Sequence, residues 1–437
     1  MIWATCGARN LAVSTAATRA VRRFFAPATS ATPLVTVSAL DGRKELFVDD
    51  PSQVAELTQY IRASKTVGID TEFIAHPFYA PKLEVVQIST PDILAVVDYQ
   101  KVKNAGLREI HQAWKDKECI FHSGGYDLKL IGHLCDTLPD NIFDTQEAAS
   151  YAGLGPMLGL KAVVEACIPS IEMDKSMTLS NWSHRPLTKD QIKYAADDVR
   201  YLQETREVLI EKLEALGRLE MFRKEMKLKS DPKTYAPPDP STLWETVRKT
   251  RKMEGRDLAI LRELAILRDR IARENNKSPE FFMRDDVMAG IVHVVPTSHG
   301  DLYGIQGVSA GSVGLFGNLI IEAVQKGVDT AEADWPVRDP LMSSAEEKHR
   351  QLHSLMSAWI QSYCLYELKI GDDLVNPRRS DDLMALILTP DEKLDALKEN
   401  RFMSGWRREY FLDKLLAIKN GTKKLQFNPE SGLVELV

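Results

Sequence analysis

The chain is 437 residues long, 44% hydrophobic and 27% charged, with a formal net charge of −6. Length and composition describe an ordinary globular protein of more than one domain and exclude a disordered or fibrous chain. No apolar run approaches the ~18 residues of a membrane helix, and an acidic chain reaches nucleic acid through local basic patches, not through its overall field.

The first 40 residues carry Arg9, Arg19, Arg22 and Arg23 but no Asp, Glu or Lys. Ala17, Ala20, Val21 and Phe24 recur there at helical spacing, with arginines opposite. An Arg-rich, acid-free amphipathic start is the signature of an organelle import segment, so residues 1–32 are expected to direct the chain to the mitochondrial matrix. The five cysteines, Cys6, Cys119, Cys135, Cys167 and Cys364, form no C-x-x-C pair. That excludes a disulfide framework and a Cys-based zinc site.

An α/β pattern follows over 33–228. Val67 to Asp70, Leu83 to Ile88 and Ile93 to Asp98 read as strands, the last two separated by the turn Ser89-Thr90-Pro91-Asp92. A helix near Val102 to Trp114 precedes the strand Cys119 to His122; Gly124 and Gly125 open a further helix, and Asp144 caps another into Tyr151. One long helix is predicted from Leu187 through Leu216. Three early strands followed by helix, strand and helix predict a mixed sheet. Four prolines between 229 and 241 mark a linker. Beyond it two helical blocks of similar size, 242–328 and 340–425, suggest a duplicated module, with 426–437 as a C-terminal tail.

The chemistry is expected at the end of the first of these strands. In Ile69-Asp70-Thr71-Glu72-Phe73, Asp70 and Glu72 share a face, because side chains alternate along a strand. Two like charges held that close repel. A cation of the Mg²⁺ type, which prefers hard carboxylate oxygens, turns the repulsion into binding; the alternative is a strand end with exposed acids. A two-metal phosphoryl-transfer site needs about four carboxylates from different elements. Asp127, after the strand ending at His122, and Asp198, in Tyr194-Ala195-Ala196-Asp197-Asp198, are the further candidates. Tyr194 and Asp198 are four apart and share a helix face, whereas Asp197 is turned toward water. With a reference pKa near ~10, Tyr194 is a poor general base but able to orient an attacking water.

The order Asp-x-Glu, Tyr-Asp-Leu after a strand, then Tyr-x-x-x-Asp resembles the tyrosine-type branch of the DEDD 3′→5′ exonucleases. Phe143-Asp144-Thr145-Gln146, Asp174-Lys175-Ser176, Trp182, Arg185-Pro186-Leu187 and Tyr194-Ala195-Ala196 narrow the resemblance to the ribonuclease D family over roughly 35–217. It implies an α/β exonuclease domain with an RNase H-like (DnaQ-like) mixed sheet. It also implies two Mg²⁺ or Mn²⁺ ions and stepwise release of 5′-mononucleotides from RNA with a single-stranded 3′ end, such as tRNA precursors or other small structured or U-tailed RNAs. By the same resemblance Asp70 bridges both metals, Glu72 and Asp198 complete one site, and Asp127 serves the other largely through water. Two departures, Gly124-Gly125-Tyr126 before Asp127 and Asn181 before Trp182, bear on how the RNA end is held and remove no ligand. A DNA exonuclease of the same branch and a non-catalytic RNA-binding subunit are the competing readings.

Trp244, the Leu258 to Arg273 helix and Ile305-Gln306-Gly307 resemble an HRDC domain, and Met403-Ser404-Gly405-Trp406 the end of a second, diverged HRDC-type module. These all-α modules are candidate docking points for other RNA-processing proteins. Seven basic residues between Asn400 and Lys424, with Trp406, Arg407 and Arg408 at their centre, form either an RNA-tracking surface or a helix with an apolar core and a solvated face. His122 is either a strand-end residue or an RNA contact, and Lys175 and Arg185 either hold a substrate phosphate or form ordinary loop ion pairs. Gly153 to Gly159 has the wrong spacing for a dinucleotide loop.

Overall fold

The computed structural model describes residues 42–173, 180–250, 252–338, 340–375 and 382–437. The expected import segment and Lys175 lie outside the described residues. Strands β1 (Lys44–Val48), β2 (Thr66–Ile74), β3 (Lys82–Ser89), β4 (Ile93–Asp98), β5 (Glu118–Phe121) and β6 (Asn141–Asp144) form one sheet in the order β1-β4-β3-β2-β5-β6. Pairing is antiparallel for β2–β3 and β3–β4 and parallel for β1–β4, β2–β5 and β5–β6. The mixed sheet was expected; its short strands β1 and β6 were not.

β2 is the strand that places the site. Its last parallel partner toward β5 is the pair Gly68–Ile120, whereas toward β3 it runs on through Asp70–Gln87 and Glu72–Val85 to a bulge after Glu72. Asp70 and Glu72 therefore project from a strand that has lost one neighbour, which opens a cleft beside them. Gly68 precedes them on the same face. A Cβ there would fall 3.2 Å from Leu202 Cδ1, so the missing side chain lets the helix pair above the sheet approach. That pair was predicted as one helix. The chain breaks at Tyr201 (φ −103°, ψ 6°) into α1 (Lys189–Arg200) and α2 (Leu202–Ala215), and Leu202 turns down onto Gly68.

The helical block after the linker has its own core, built on α3 (Arg256–Glu274) with Leu258, Leu261 and Leu264 buried at three-residue spacing against Ile291 and Val324. The block beyond 340 does not. Its Trp359, Phe402 and Phe411 belong to the same apolar core as Tyr151 and Phe222 of the exonuclease domain, and Trp406 meets Tyr151 edge-on at 5.9 Å. The expected C-terminal tail is an antiparallel hairpin, β7 (Leu425–Asn428) and β8 (Leu433–Leu436). No helix among the described residues is long and apolar enough to cross a membrane.

Candidate active site

Asp70, Glu72 and Asp198 converge: one carboxylate oxygen from each lies within 4.8 Å of the others. Asp198 comes from α1, whose N-terminus is fixed by a capping box of Thr188 and Gln191. One turn earlier Tyr194 is buried against Trp182, rings 6.3 Å apart, in a small apolar cluster with Val85, Val96 and Leu187. Tyr194, Asp198, Asp70, Glu72 and His122 line one cleft of about 380 Å³. His122 Nδ1 lies 2.9 Å from Thr145 Oγ1, which in turn donates to the carbonyl of Phe121. Asp197 points away and pairs with Arg200 at 2.5 Å, as the helical geometry predicts.

Asp127 comes from a separate helix and meets the strand at Thr71. It lies in the first turn of α4 (Gly125–Cys135), and its Oδ1 accepts the hydroxyl of Thr71. Thr71 projects from the face opposite to Asp70 and Glu72. Asp127 is thus outside the three-carboxylate group, yet close enough that its charge acts on Asp70. Burial pushes the Asp70 carboxyl well above its usual range, and Asp127, Asp198 and Glu72 push it further. Burial likewise pushes Asp127 up to about 6, against the opposing bond from Thr71. A cluster of hard oxygens that resists its own ionisation fits a divalent cation, which supplies the missing positive charge.

Asp144 holds the start of α4. Its oxygens accept from the amides of Ser123 at 3.0 Å and Gly124 at 3.1 Å, it caps the helix beginning at Thr145, and Lys229 pairs with it at 3.1 Å. Against the upward push of burial, Lys229 and the Ser123 amide keep the carboxyl below its usual range. In the sequence Asp144 is legible as a helix cap and a motif residue but not as the anchor of Ser123, Gly124 and Lys229, and Thr71 and Trp182 are not legible as supports of the site. Strand alternation was the available signal for Thr71.

Three of the candidate RNA contacts are engaged within the chain. Arg185 makes a two-armed ion pair with Asp98 at 2.7 and 2.9 Å and donates to the carbonyls of Glu84 and Trp182, so its guanidinium is committed to the loop that carries Trp182. Arg407 is buried, bonded to Glu225 at 2.6 Å and to the carbonyl of Leu374. Trp406 donates to Glu225 at 3.1 Å and packs against Tyr151 and Phe411. Both belong to the core shared with the exonuclease domain. Arg408 is exposed, with one bond to the Met403 carbonyl.

Residues 46–214 match the family model described as 3'-5' exonuclease, and 257–324 the HRDC domain. The chain is 33% identical over 379 residues to a ribonuclease D of Gluconacetobacter diazotrophicus, covering 86% of this chain and 93% of that one. It belongs to the ribonuclease D family. A ribonuclease D of Sphingobium indicum is 30% identical over 396 residues, covering 87% and 98%. The crystal structure of Escherichia coli RNase D, described as an exoribonuclease involved in structured RNA processing, superposes with a TM-score of 0.75 at 26% identity over 86% of this chain and 99% of that one. Family and fold make this chain a hydrolytic 3′→5′ exoribonuclease that uses divalent metal. The exonuclease sheet followed by an HRDC region is the architecture expected from the sequence.

Proposed function

We propose that the chain trims single-stranded 3′ ends of small structured RNAs by two-metal hydrolysis with Mg²⁺ or Mn²⁺, tRNA precursors and U-tailed RNAs being the candidate substrates, in the mitochondrial matrix. The observation that carries the chemistry is the convergence of Asp70, Glu72 and Asp198 at one cleft. The Arg-rich, acid-free residues 1–32 support the location. The description of the Escherichia coli neighbour supports the substrate class.

Asp70, Glu72 and Asp198 are the residues that would hold divalent metal, with Asp127, bonded to Thr71, close beside them. Bound divalent cations lower the pKa of water and stabilise charge on the leaving oxygen. The Tyr194 hydroxyl orients the attacking water, and Trp182 fixes the tyrosine ring. Water adds to the terminal phosphorus as the bond to the upstream 3′ oxygen breaks, releasing a 5′-mononucleotide and leaving a new 3′ hydroxyl.

Digestion of matched 5′-labelled RNA and DNA oligonucleotides with Mg²⁺ or Mn²⁺ tests this reading. A one-nucleotide ladder on RNA, lost in Asp70→Ala, is the expected result. Equal rates on DNA would sink the RNA assignment, and activity surviving in Asp70→Ala would sink the catalytic one. A fusion of residues 1–32 to a reporter tests the location: mitochondrial signal is expected, and a cytosolic one overturns it.

A further inference from the structure

The exonuclease and HRDC regions enclose a second cavity, of about 670 Å³, which none of the site residues above occupies. One wall is the exposed face of α4, where Tyr126 and Lys129 stand three residues apart. The opposite wall is Tyr79 and the end of α3, and Tyr235 and Pro237 of the proline-rich linker close the floor.

We propose that this cavity is a subsite for the RNA strand upstream of the scissile bond, stacking a base on tyrosine and holding a phosphate with Lys129. The assignment deepens the exoribonuclease reading and rests on it. Proximity to the catalytic residues is the first argument. Tyr126 immediately precedes Asp127, Phe73 immediately follows Glu72, and their rings lie 6.0 Å apart. Tyr126 thus ties the cavity wall to the end of the strand that carries Glu72 and to the helical turn that carries Asp127.

Chemistry is the second argument. Tyr126 is 66% exposed, in a domain that buries most of its large aromatics, and an exposed ring beside a cation is what a sequence-tolerant single-strand site uses. Lys129 supplies a positive charge on a chain that is acidic overall. The volume lies within the roughly 300–1,000 Å³ that encloses a small organic ligand. The walls are also fixed in advance: the Ala80 amide donates to Asn276 Oδ1 at 3.0 Å, and the Ser278 amide to the Pro77 carbonyl at 2.8 Å. A pre-built site loses less entropy on binding than one that must be assembled.

The test compares the full-length protein with Tyr126→Ser and Lys129→Ala on a long single-stranded RNA tail and on a dinucleotide that cannot reach from cleft to cavity. Both side chains are exposed, so the fold should survive, which thermal unfolding checks. The ratio of kcat/KM for the long tail to that for the dinucleotide should fall roughly tenfold in each, the size expected from one stacked base or one phosphate contact. Separately, RNA carrying 4-thiouridine at successive positions upstream of its 3′ end, bound to Asp70→Asn, should cross-link to peptides containing Tyr126 or Tyr235. If wild-type protein digests both substrates but the variants keep its ratio, or cross-links map elsewhere, the subsite is wrong and the activity stands. If wild-type protein digests neither substrate, the activity reading and the subsite fall together.

Discussion

Tyr79, on the loop that leaves the catalytic strand, donates its hydroxyl to Asp269 Oδ1 in the HRDC helix at 2.7 Å, and the Arg273 guanidinium lies 5.2 Å from its ring centre. The loop is thus both the continuation of β2 and the attachment point of the HRDC region. Tyr79 therefore ties the HRDC helix to the loop that continues the strand carrying Asp70 and Glu72.

Replacing Tyr79 by Phe removes the bond and leaves the ring. A hydrogen bond to a charged acceptor contributes about 1.5–3 kcal/mol, so the variant should show faster limited proteolysis in the 229–241 linker. Burial, then Asp269, pushes the Tyr79 phenol up to about 12. A phenol raised in the folded state contributes stability that is fully present below its ordinary value near 10 and is lost as pH rises toward 12. Spectrophotometric titration should therefore count one fewer late-ionising tyrosine in Tyr79→Phe, since Tyr151 and Tyr235 are also pushed up.

Asp70 sits in the opposite situation, a carboxyl pushed upward by burial and by three other acids. A raised carboxyl contributes stability present below the ordinary carboxylate range and lost as pH climbs to neutrality. Metal-free protein should accordingly lose stability as pH rises above the ordinary carboxylate range, and divalent metal should restore it. In Asp70→Asn activity falls to background while the metal-free protein gains stability at neutral pH, because the mutual repulsion of the acids is relieved. Thermal unfolding with EDTA and with Mg²⁺ measures both effects. A wild-type Tm that ignores Mg²⁺ would contradict the site.

The carboxylate pair was legible because strand alternation is a strict two-residue period, and Asp198 because it shares a helix face with Tyr194. The contact of Asp127 with Thr71 was not legible, since Thr71 alternates away from the acid-bearing face and Asp127 arrives from a distant part of the sequence. Trp406 and Arg407 were harder. Basic residues interleaved with aromatics look alike whether they face RNA or a neighbouring helix, and Glu225, which decides the matter, lies in a distant part of the sequence. The hairpin at 425–436 was missed because its strands are four residues each, too short for a periodic signal.

Tyr194→Phe separates orientation from packing. The ring remains against Trp182 at 6.3 Å, so Tm should stay within about 0.5 kcal/mol of stability, while kcat falls roughly ten- to a hundredfold with KM little changed, the cost of losing alignment of an attacking water. Trp182→Ala should lower both Tm and kcat, because it removes the surface that fixes the tyrosine. Unchanged kcat in Tyr194→Phe would leave the water without its proposed guide.

Arg407 and Arg408 are neighbours in sequence with opposite surroundings, which makes them a direct test of the correction to the basic stretch. Arg407→Ala strips Glu225 of an ion pair in a site where the arginine side chain is 8% and the glutamate 22% exposed, and leaves the Leu374 carbonyl without its two guanidinium donors. Breaking such a pair from one side costs about 3–5 kcal/mol. Because the core around it is shared with Tyr151, the loss should appear as a lower Tm for the exonuclease domain as well. Arg408→Ala, on the surface, should change stability by less than about 0.5 kcal/mol. The affinity of folded Arg407→Ala for RNA, measured well below its Tm, should match wild type. A selective loss of RNA binding with Tm intact would return Arg407 to the substrate surface.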